Sequence, residues 1–260
     1  MTAPAPGHLW LAAGGTGGHV FPALALAATA HAAGWRTTLV GDANGPERAW
    51  ASEAGVAFLG LPAGKLDRGR PDPRALVRAL RGVAAAVGAV RRERPDLVVG
   101  FGGFASLPAV AAARLTGTPF ALHETNAYPG LVTRAFARTA RLVVLTQGET
   151  TAHLPGARTA VVPLPVREQR RTRADARTEL GVPKDAVVTL VLGGSQGSAY
   201  LNAVVPPLAA ALQAEHPDLW VLHQTGPRWH TATAAAVGER PRYRLAGFVD
   251  ATVAFAAADL

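Results

Sequence analysis

Hydrophobic residues along the chain fall into short runs, separated by glycine-rich turns and by longer stretches of helical spacing. Residues 8–13 (HLWLAA) have the length and character of a buried strand. Alanines and leucines then continue to His31, with Gly34 as a stop, which predicts a helix. Between the two stands Gly14-Gly15-Thr16-Gly17-Gly18-His19, a strand-to-helix turn. Strand-like runs recur at 37–40, 97–99, 120–122 and 142–145, with helical segments between them. This alternation predicts an α/β fold, a parallel sheet covered by helices on both faces, with ligands bound at the carboxyl ends of the strands.

The pattern breaks at the polar stretch 167–177, whose charge density suits a solvated linker or an exposed helix. It restarts with a strand at 186–192 and a second glycine-rich turn, Gly193-Gly194-Ser195-Gln196-Gly197-Ser198, followed by strands near 220–222 and 243–245. Two domains of one architecture are expected, 1–164 and 165–260, the second too short for a complete doubly wound sheet.

The segment 72–94 predicts a helix. Leu76, Leu80, Val83, Val87 and Val90 form an apolar stripe, with Arg74, Arg78, Arg81 and Arg92 opposite. Two readings stand: a core-packed helix with a solvated face, or a helix at a membrane surface with Val77 and Leu80 exposed beside the arginines.

Charge and composition narrow the partners. The net charge is +8, and Lys65 and Lys184 are the only lysines among the cations. This excess of arginine suits an anionic substrate or an anionic membrane surface. No nucleic-acid-binding motif is present, and nucleic acid is not expected as a partner. The absence of cysteine excludes disulfides and thiolate catalysis. No signal peptide and no membrane span are indicated.

The candidate chemistry gathers in the turns after strands. A glycine-rich strand-to-helix turn aims free backbone N–H groups and the positive end of a helix at an anion such as a phosphate. A third such turn, Gly100-Phe101-Gly102-Gly103-Phe104-Ala105-Ser106, follows the strand at 97–99; Ser106 suits either a phosphate contact or a helix cap. Three such turns suggest a diphosphate-bearing ligand, or two of them. His123-Glu124-Thr125-Asn126 follows the strand at 120–122, where Glu124 suits a base or a sugar-hydroxyl contact and His123 a structural role. His223-Gln224-Thr225-Gly226 and Gly247-Phe248-Val249-Asp250 end the next two strands, and a backbone amide in such a loop can read the edge of a flat heterocycle. No Asp-x-Asp and no histidine pair at helical ligand spacing occurs, so neither a metal nor another cofactor is expected, and the charge of a departing diphosphate falls to helix N-termini, backbone N–H groups and arginine.

Taken in order and at these separations, the motifs Gly14–Pro22, Gly102–Ser106, His123–Asn126, Gly193–Gly197, His223–Gly226 and Phe248–Asp250 closely resemble the MurG family of bacterial glycosyltransferases, from Leu9 to Leu260. The resemblance implies a GT-B fold, two Rossmann-like domains with parallel sheets facing across a cleft. It implies inverting transfer of N-acetylglucosamine from UDP-GlcNAc to the muramyl 4-hydroxyl of lipid I, making lipid II for peptidoglycan. It places the enzyme peripherally at the cytoplasmic face of the bacterial cell membrane. Residue by residue, it implies donor contacts at Thr16, Gly17, Gly18, Asn126, Arg167, Ser195 and Val249, the last through its backbone to uracil. It implies acceptor-diphosphate contacts at Gly15, Thr16, Gly102, Gly103 and Ser106. His19 becomes the first candidate general base and Glu124 the second, with hydrogen bonding of His19 to the acceptor diphosphate as the alternative role. Another GT-B transferase and a non-catalytic diphosphate-lipid binder are the rival functions.

There are departures from the family pattern. Thr125 stands where the family usually has Gln, and Pro163-Leu164-Pro165-Val166-Arg167 where it has Gly-Asn-Pro-Val-Arg. The family's Ser-Gly-Ala stretch and later donor-site residues would follow Leu260. The chain is therefore expected to be a member that is truncated or given only in part, and residues 1–260 alone to be a poor catalyst.

Overall fold

The computed structural model describes residues 7–64, 73–165 and 171–260. The chain divides into two compact units, residues 1–167 and 168–260.

The first unit is built on seven strands: β1 (His8–Ala12), β2 (Arg36–Asp42), β3 (Ala57–Leu61), β4 (Leu97–Gly100), β5 (Phe120–Glu124), β6 (Leu142–Leu145) and β7 (Thr159–Val161). They lie in the order β3-β2-β1-β4-β5-β6-β7, and every pairing is parallel. The chain builds outward from β1 to β3, then returns to add β4 on the other side of β1. The junction of β1 and β4 is therefore the topological switch point, where such sheets open a crevice at the carboxyl ends of their strands. Both faces of β1 are buried, which explains its unbroken apolar run. Leu9 and Leu11 pack with Val20 and Leu24 of α1 (Gly17–Ala32), while Trp10 and Ala12 pack on the other face with Val110 of α4 (Leu107–Thr116).

Helix α2 (Glu47–Glu53) follows β2, α3 (Pro73–Glu93) lies against α4, and α5 (Leu131–Phe136) follows β5. The expected helix forms over Pro73–Glu93, and its buried face takes in only the end of the expected stripe, with Val90 buried and Val83 and Val87 half-buried. The inner face carries Ala75, Ala79, Gly82, Ala86, Ala89 and Val90. A methyl group on Gly82 would meet the carbonyl of Pro62 and the ring of Pro108. Close approach of α3 demands small residues, so Leu80 is turned outward at 62% exposure and Val77 at 47%, in company with exposed Arg74, Arg78 and Arg81. The side chain of Leu76 lies outside the described residues. Among the described residues, no helix is long and apolar enough to cross a membrane.

The second unit opens with α6 (Arg173–Leu180), in the second half of the charged stretch. Strands β8 (Val187–Leu192), β9 (Leu219–Gln224) and β10 (Tyr243–Ala246) follow in the order β10-β9-β8, again parallel. Helices α7 (Ala199–Glu215), α8 (His230–Val237) and α9 (Ala251–Ala257) connect and cover them. Asp259 and Leu260 pair with the other side of β8, the N–H of Asp259 donating to Val188 and that of Leu190 to Leu260, both at 2.8 Å.

Candidate active site

Each unit gathers its motifs at the carboxyl edge of its own sheet. In the first unit, the turn after β1, the turn after β4 and the segment after β5 lie side by side, because their strands are neighbours. Thr16 is the extended residue that starts α1; its carbonyl receives the N–H groups of His19 and Val20. Gly17 and Gly18 head the helix, where backbone N–H groups have no carbonyl one turn earlier to bond. Nδ1 of His19 lies 3.1 Å from Oγ1 of Thr16.

The His19 ring lies against the glycine turn after β4. A methyl group on Gly102 would stand 3.2–3.3 Å from Cδ2 and Nε2 of His19, and one on Gly103 would stand 3.2 Å from Nδ1 while colliding with the carbonyl of Gly14. Both glycines also have φ in the left-handed region, at 85° and 72°, where only glycine is unstrained. Burial lowers the pKa of His19 below its ordinary 6.5, against smaller raising contributions from Glu124 and the Gly14 carbonyl. The neutral imidazole is thereby favoured near neutral pH.

His123 is buried beneath this edge, 5.1 Å from the ring of Phe101, and neither ring nitrogen has a protein partner. Its pKa is lowered chiefly by burial. Glu124 is buried too, and both carboxylate oxygens are occupied. Oε1 accepts from the backbone and side-chain N–H groups of Asn126 at 3.1 and 2.7 Å; Oε2 accepts from the N–H of Gly130 at 2.8 Å and the hydroxyl of Thr133 at 2.7 Å. Four donors leave Glu124 no lone pair placed to take a substrate proton. It organises the 126–133 segment and sets the Asn126 side chain.

Two expected acceptor contacts are also redirected. Ser106 is fully buried and donates its hydroxyl to the Gly103 carbonyl at 2.9 Å, so it shapes the turn from below and neither caps α4 nor faces a ligand. The N–H of Gly15 points inward and donates to Oε1 of Glu47 at 2.5 Å. Glu47, the first residue of α2, is fully buried, and methyl groups on Gly14, Gly41 or Gly45 would all crowd it. Glu47 is a site residue that the sequence did not disclose. Thr16, Gly17, Gly18, Gly102 and Gly103 remain grouped about His19.

In the second unit, Ser195 lies in the turn after β8, and Ser198 caps α7 by accepting the N–H of Leu201 at 3.3 Å. A Cβ on Gly197 would strike the Thr225 carbonyl, and one on Gly226 the Gln196 carbonyl, so the turns after β8 and β9 interlock through these glycines. Gln224, buried at the end of β9, donates to the Gly194 carbonyl at 2.9 Å and accepts the N–H of Val249 at 2.9 Å. The Val249 amide expected to meet a base is thus already engaged. Arg167 lies outside the described residues.

Residues 9–145 match the glycosyltransferase family 28 N-terminal domain, and residues 188–260 match the glycosyltransferase family 28 C-terminal domain. A protein of Deinococcus deserti, UDP-N-acetylglucosamine--N-acetylmuramyl-(pentapeptide) pyrophosphoryl-undecaprenol N-acetylglucosamine transferase, is 43% identical over an alignment covering 96% of this chain and 72% of its own length. The protein of the same name from Thermus thermophilus is 41% identical, with the same coverage of both chains. The crystal structure of Acinetobacter baumannii MurG superposes with a TM-score of 0.65 at 29% identity, covering 98% of this chain and 72% of that one. Anabaena HepE in complex with UDP-glucose shares the fold at 15% identity and a TM-score of 0.63.

Proposed function

The chain belongs to glycosyltransferase family 28 and to the MurG enzymes within it, and on that premise we propose how its two glycine-rich edges divide the work of a UDP-GlcNAc-dependent N-acetylglucosaminyltransferase. The first unit takes the acceptor, the undecaprenyl-diphosphate-linked muramyl pentapeptide. The second takes the donor, UDP-GlcNAc. His19 removes the proton from the muramyl 4-hydroxyl as that oxygen attacks the anomeric carbon from the face opposite UDP. The bond to the β-phosphate oxygen breaks, and UDP leaves with the electron pair. The anomeric centre is inverted.

The observation that carries this reading is the seating of His19. A base must be neutral at working pH, and burial holds its imidazole so. It must be positioned, and Thr16, Gly102 and Gly103 confine the ring. The N-terminus of α1 lies beside it, suited to the acceptor diphosphate through Gly17 and Gly18. In the second unit, the head of α7 and Ser195 face the charge that grows on the leaving diphosphate, and the Val249 loop takes the base. Arg167 and Asn126 are proposed as further donor contacts.

The same reading puts the protein at the cytoplasmic face of the cell membrane, where its lipid acceptor is anchored. Outward-facing Val77 and Leu80 with Arg74, Arg78 and Arg81 on α3 support peripheral attachment, combining apolar insertion with attraction to anionic headgroups.

The test is transfer of labelled N-acetylglucosamine from UDP-GlcNAc to lipid I by the chain and by its His19→Gln variant. Transfer that falls about a hundredfold or more in kcat supports His19 as base. An unchanged kcat with a raised KM for lipid I would assign His19 to acceptor binding instead. Transfer to lipid I from other UDP-sugars as fast as from UDP-GlcNAc would overturn the reading.

A further inference from the structure

The second unit poses a mechanical problem. The turn after β8 contains Gly193, Gly194 and Gly197, and a Cβ on Gly194 would meet nothing within 4 Å. Gly194 is exposed and has a φ of 73°. Such a turn has little side-chain packing to hold it. The loop after β10 carries Val249 and exposed Phe248. A nucleoside diphosphate is an extended ligand whose two ends meet these two loops, so their spacing has to be held before binding if ordering is not to weaken affinity.

We infer that Gln224 is the positioning residue that holds the diphosphate turn and the base loop in register for a uridine diphosphate. This rests on the assignment of the second unit to the donor. Gln224 is 5% exposed and sits at the last position of β9, the strand between the other two. Its planar amide is a short rigid bridge. Nε2 donates to the Gly194 carbonyl and Oε1 accepts the Val249 N–H, each at 2.9 Å. The two partners are 30 and 25 residues away in sequence and on opposite sides of β9. The diphosphate turn has a second anchor, the packing of Gly197 on Thr225 and Gly226. The Val249 amide is held by Gln224 itself. The base loop keeps its flanks, Ala246 bonded to Thr225 and Asp250 capping α9, so losing the bridge frees the Val249 amide between them while leaving much of the phosphate turn in place. Gln224 acts through these two loops and does not itself touch the nucleotide.

This separates two ligands that a merely structural role would not separate. In Gln224→Met, which matches the length but bonds neither loop, UDP should bind at least tenfold more weakly by titration calorimetry. Inorganic diphosphate should stay within threefold of its affinity for the native chain. The Val249 amide should exchange with deuterium at least tenfold faster. In Gln224→Glu, which keeps the acceptor and loses the donor, the Val249 amide should stay protected while UDP still binds more weakly. UDP affinity within twofold of native in both variants would overturn the inference. So would equal loss of UDP and diphosphate binding, which marks general destabilisation. Failure of the native chain to bind UDP would instead overturn the donor assignment, and this inference with it.

Discussion

The imidazole of His19 and the backbone of Gly103 face each other across the junction of β1 and β4, so closely that a methyl group on Gly103 would stand 3.2 Å from Nδ1. The glycine turn after β4 is therefore a wall of the His19 site. Gly103→Ala carries a φ of 72° with a ψ of 159°, a glycine-only conformation, into a residue with a Cβ, at a cost of about 1–3 kcal/mol. It also displaces either the ring or the Gly14 carbonyl. Transfer to lipid I should fall about tenfold to a hundredfold, with a lower urea midpoint. Full activity in Gly103→Ala would show that the wall is not needed.

The direction of the His19 shift fixes the form of the pH profile. The neutral imidazole is the base, so kcat/KM should rise with pH through a pKa below 6.5 and then level off. A histidine that served only as a cation for the acceptor diphosphate would give the opposite slope. The profile of kcat/KM, with His19 of the free protein titrated by NMR in the same buffer, decides between them.

Stability should also fall on acidification. His8, His123 and His223 are buried, and burial lowers the pKa of each below 6.5. Between the folded and unfolded values the unfolded chain binds more protons, so stability is present above about pH 6.5 and is lost as pH falls through the folded values. Urea midpoints at pH 7.5, 6 and 5 should fall in that order. His123 has no partner on either nitrogen, so His123→Phe should be nearly neutral at pH 7.5 and should flatten the dependence. An unchanged slope would remove His123 from the account.

Glu47 should matter out of proportion to its distance from any substrate. Glu47→Ala leaves the Gly15 N–H without its acceptor and opens space beneath the turn, at a cost of about 1–3 kcal/mol. Glu47→Gln keeps an acceptor oxygen and should recover part of the loss. Urea denaturation together with deuterium exchange at Gly15 reads both effects; equal stability in native and Ala forms would refute the role.

For α3, the triple substitution of Arg74, Arg78 and Arg81 by Glu should weaken binding to phosphatidylglycerol vesicles by at least tenfold, since each cation near an anionic surface contributes about 1 kcal/mol. Val77→Ser with Leu80→Ser should weaken it further at high salt, where charge is screened. Vesicle binding unaffected by either set would detach this face from the membrane.

The sequence disclosed the features that depend on local chemistry. Glycine turns after apolar runs marked the carboxyl edges of both sheets, and His19 stood in the first of them. What stayed hidden depends on contacts between distant segments. Glu47 looks like an acidic residue opening a short helix, and nothing near it shows that Gly15, 32 residues earlier, is its partner. Gln224 stands inside the His223–Gly226 motif, but its partners come from two other loops. Ser106 turned inward because the Gly103 carbonyl offered an acceptor three residues back. On α3 the large apolar residues gave the strongest periodic signal, yet close packing on α4 selected the alanines and glycine between them.

That alanine face has a thermodynamic consequence. Alanine and glycine have no side-chain rotamers to freeze, and valine, stiff at χ1, adds little at Val87 and Val90, so docking α3 on α4 sacrifices little side-chain freedom. Leu80 and Val77, on the outside, keep theirs until something covers them. The two faces of α3 are therefore decoupled: immobilising the outer side chains sends no repacking through the inner one. The helix can meet a fluid, changeable surface while the sheet behind it, and the His19 edge that the sheet carries, stays unperturbed.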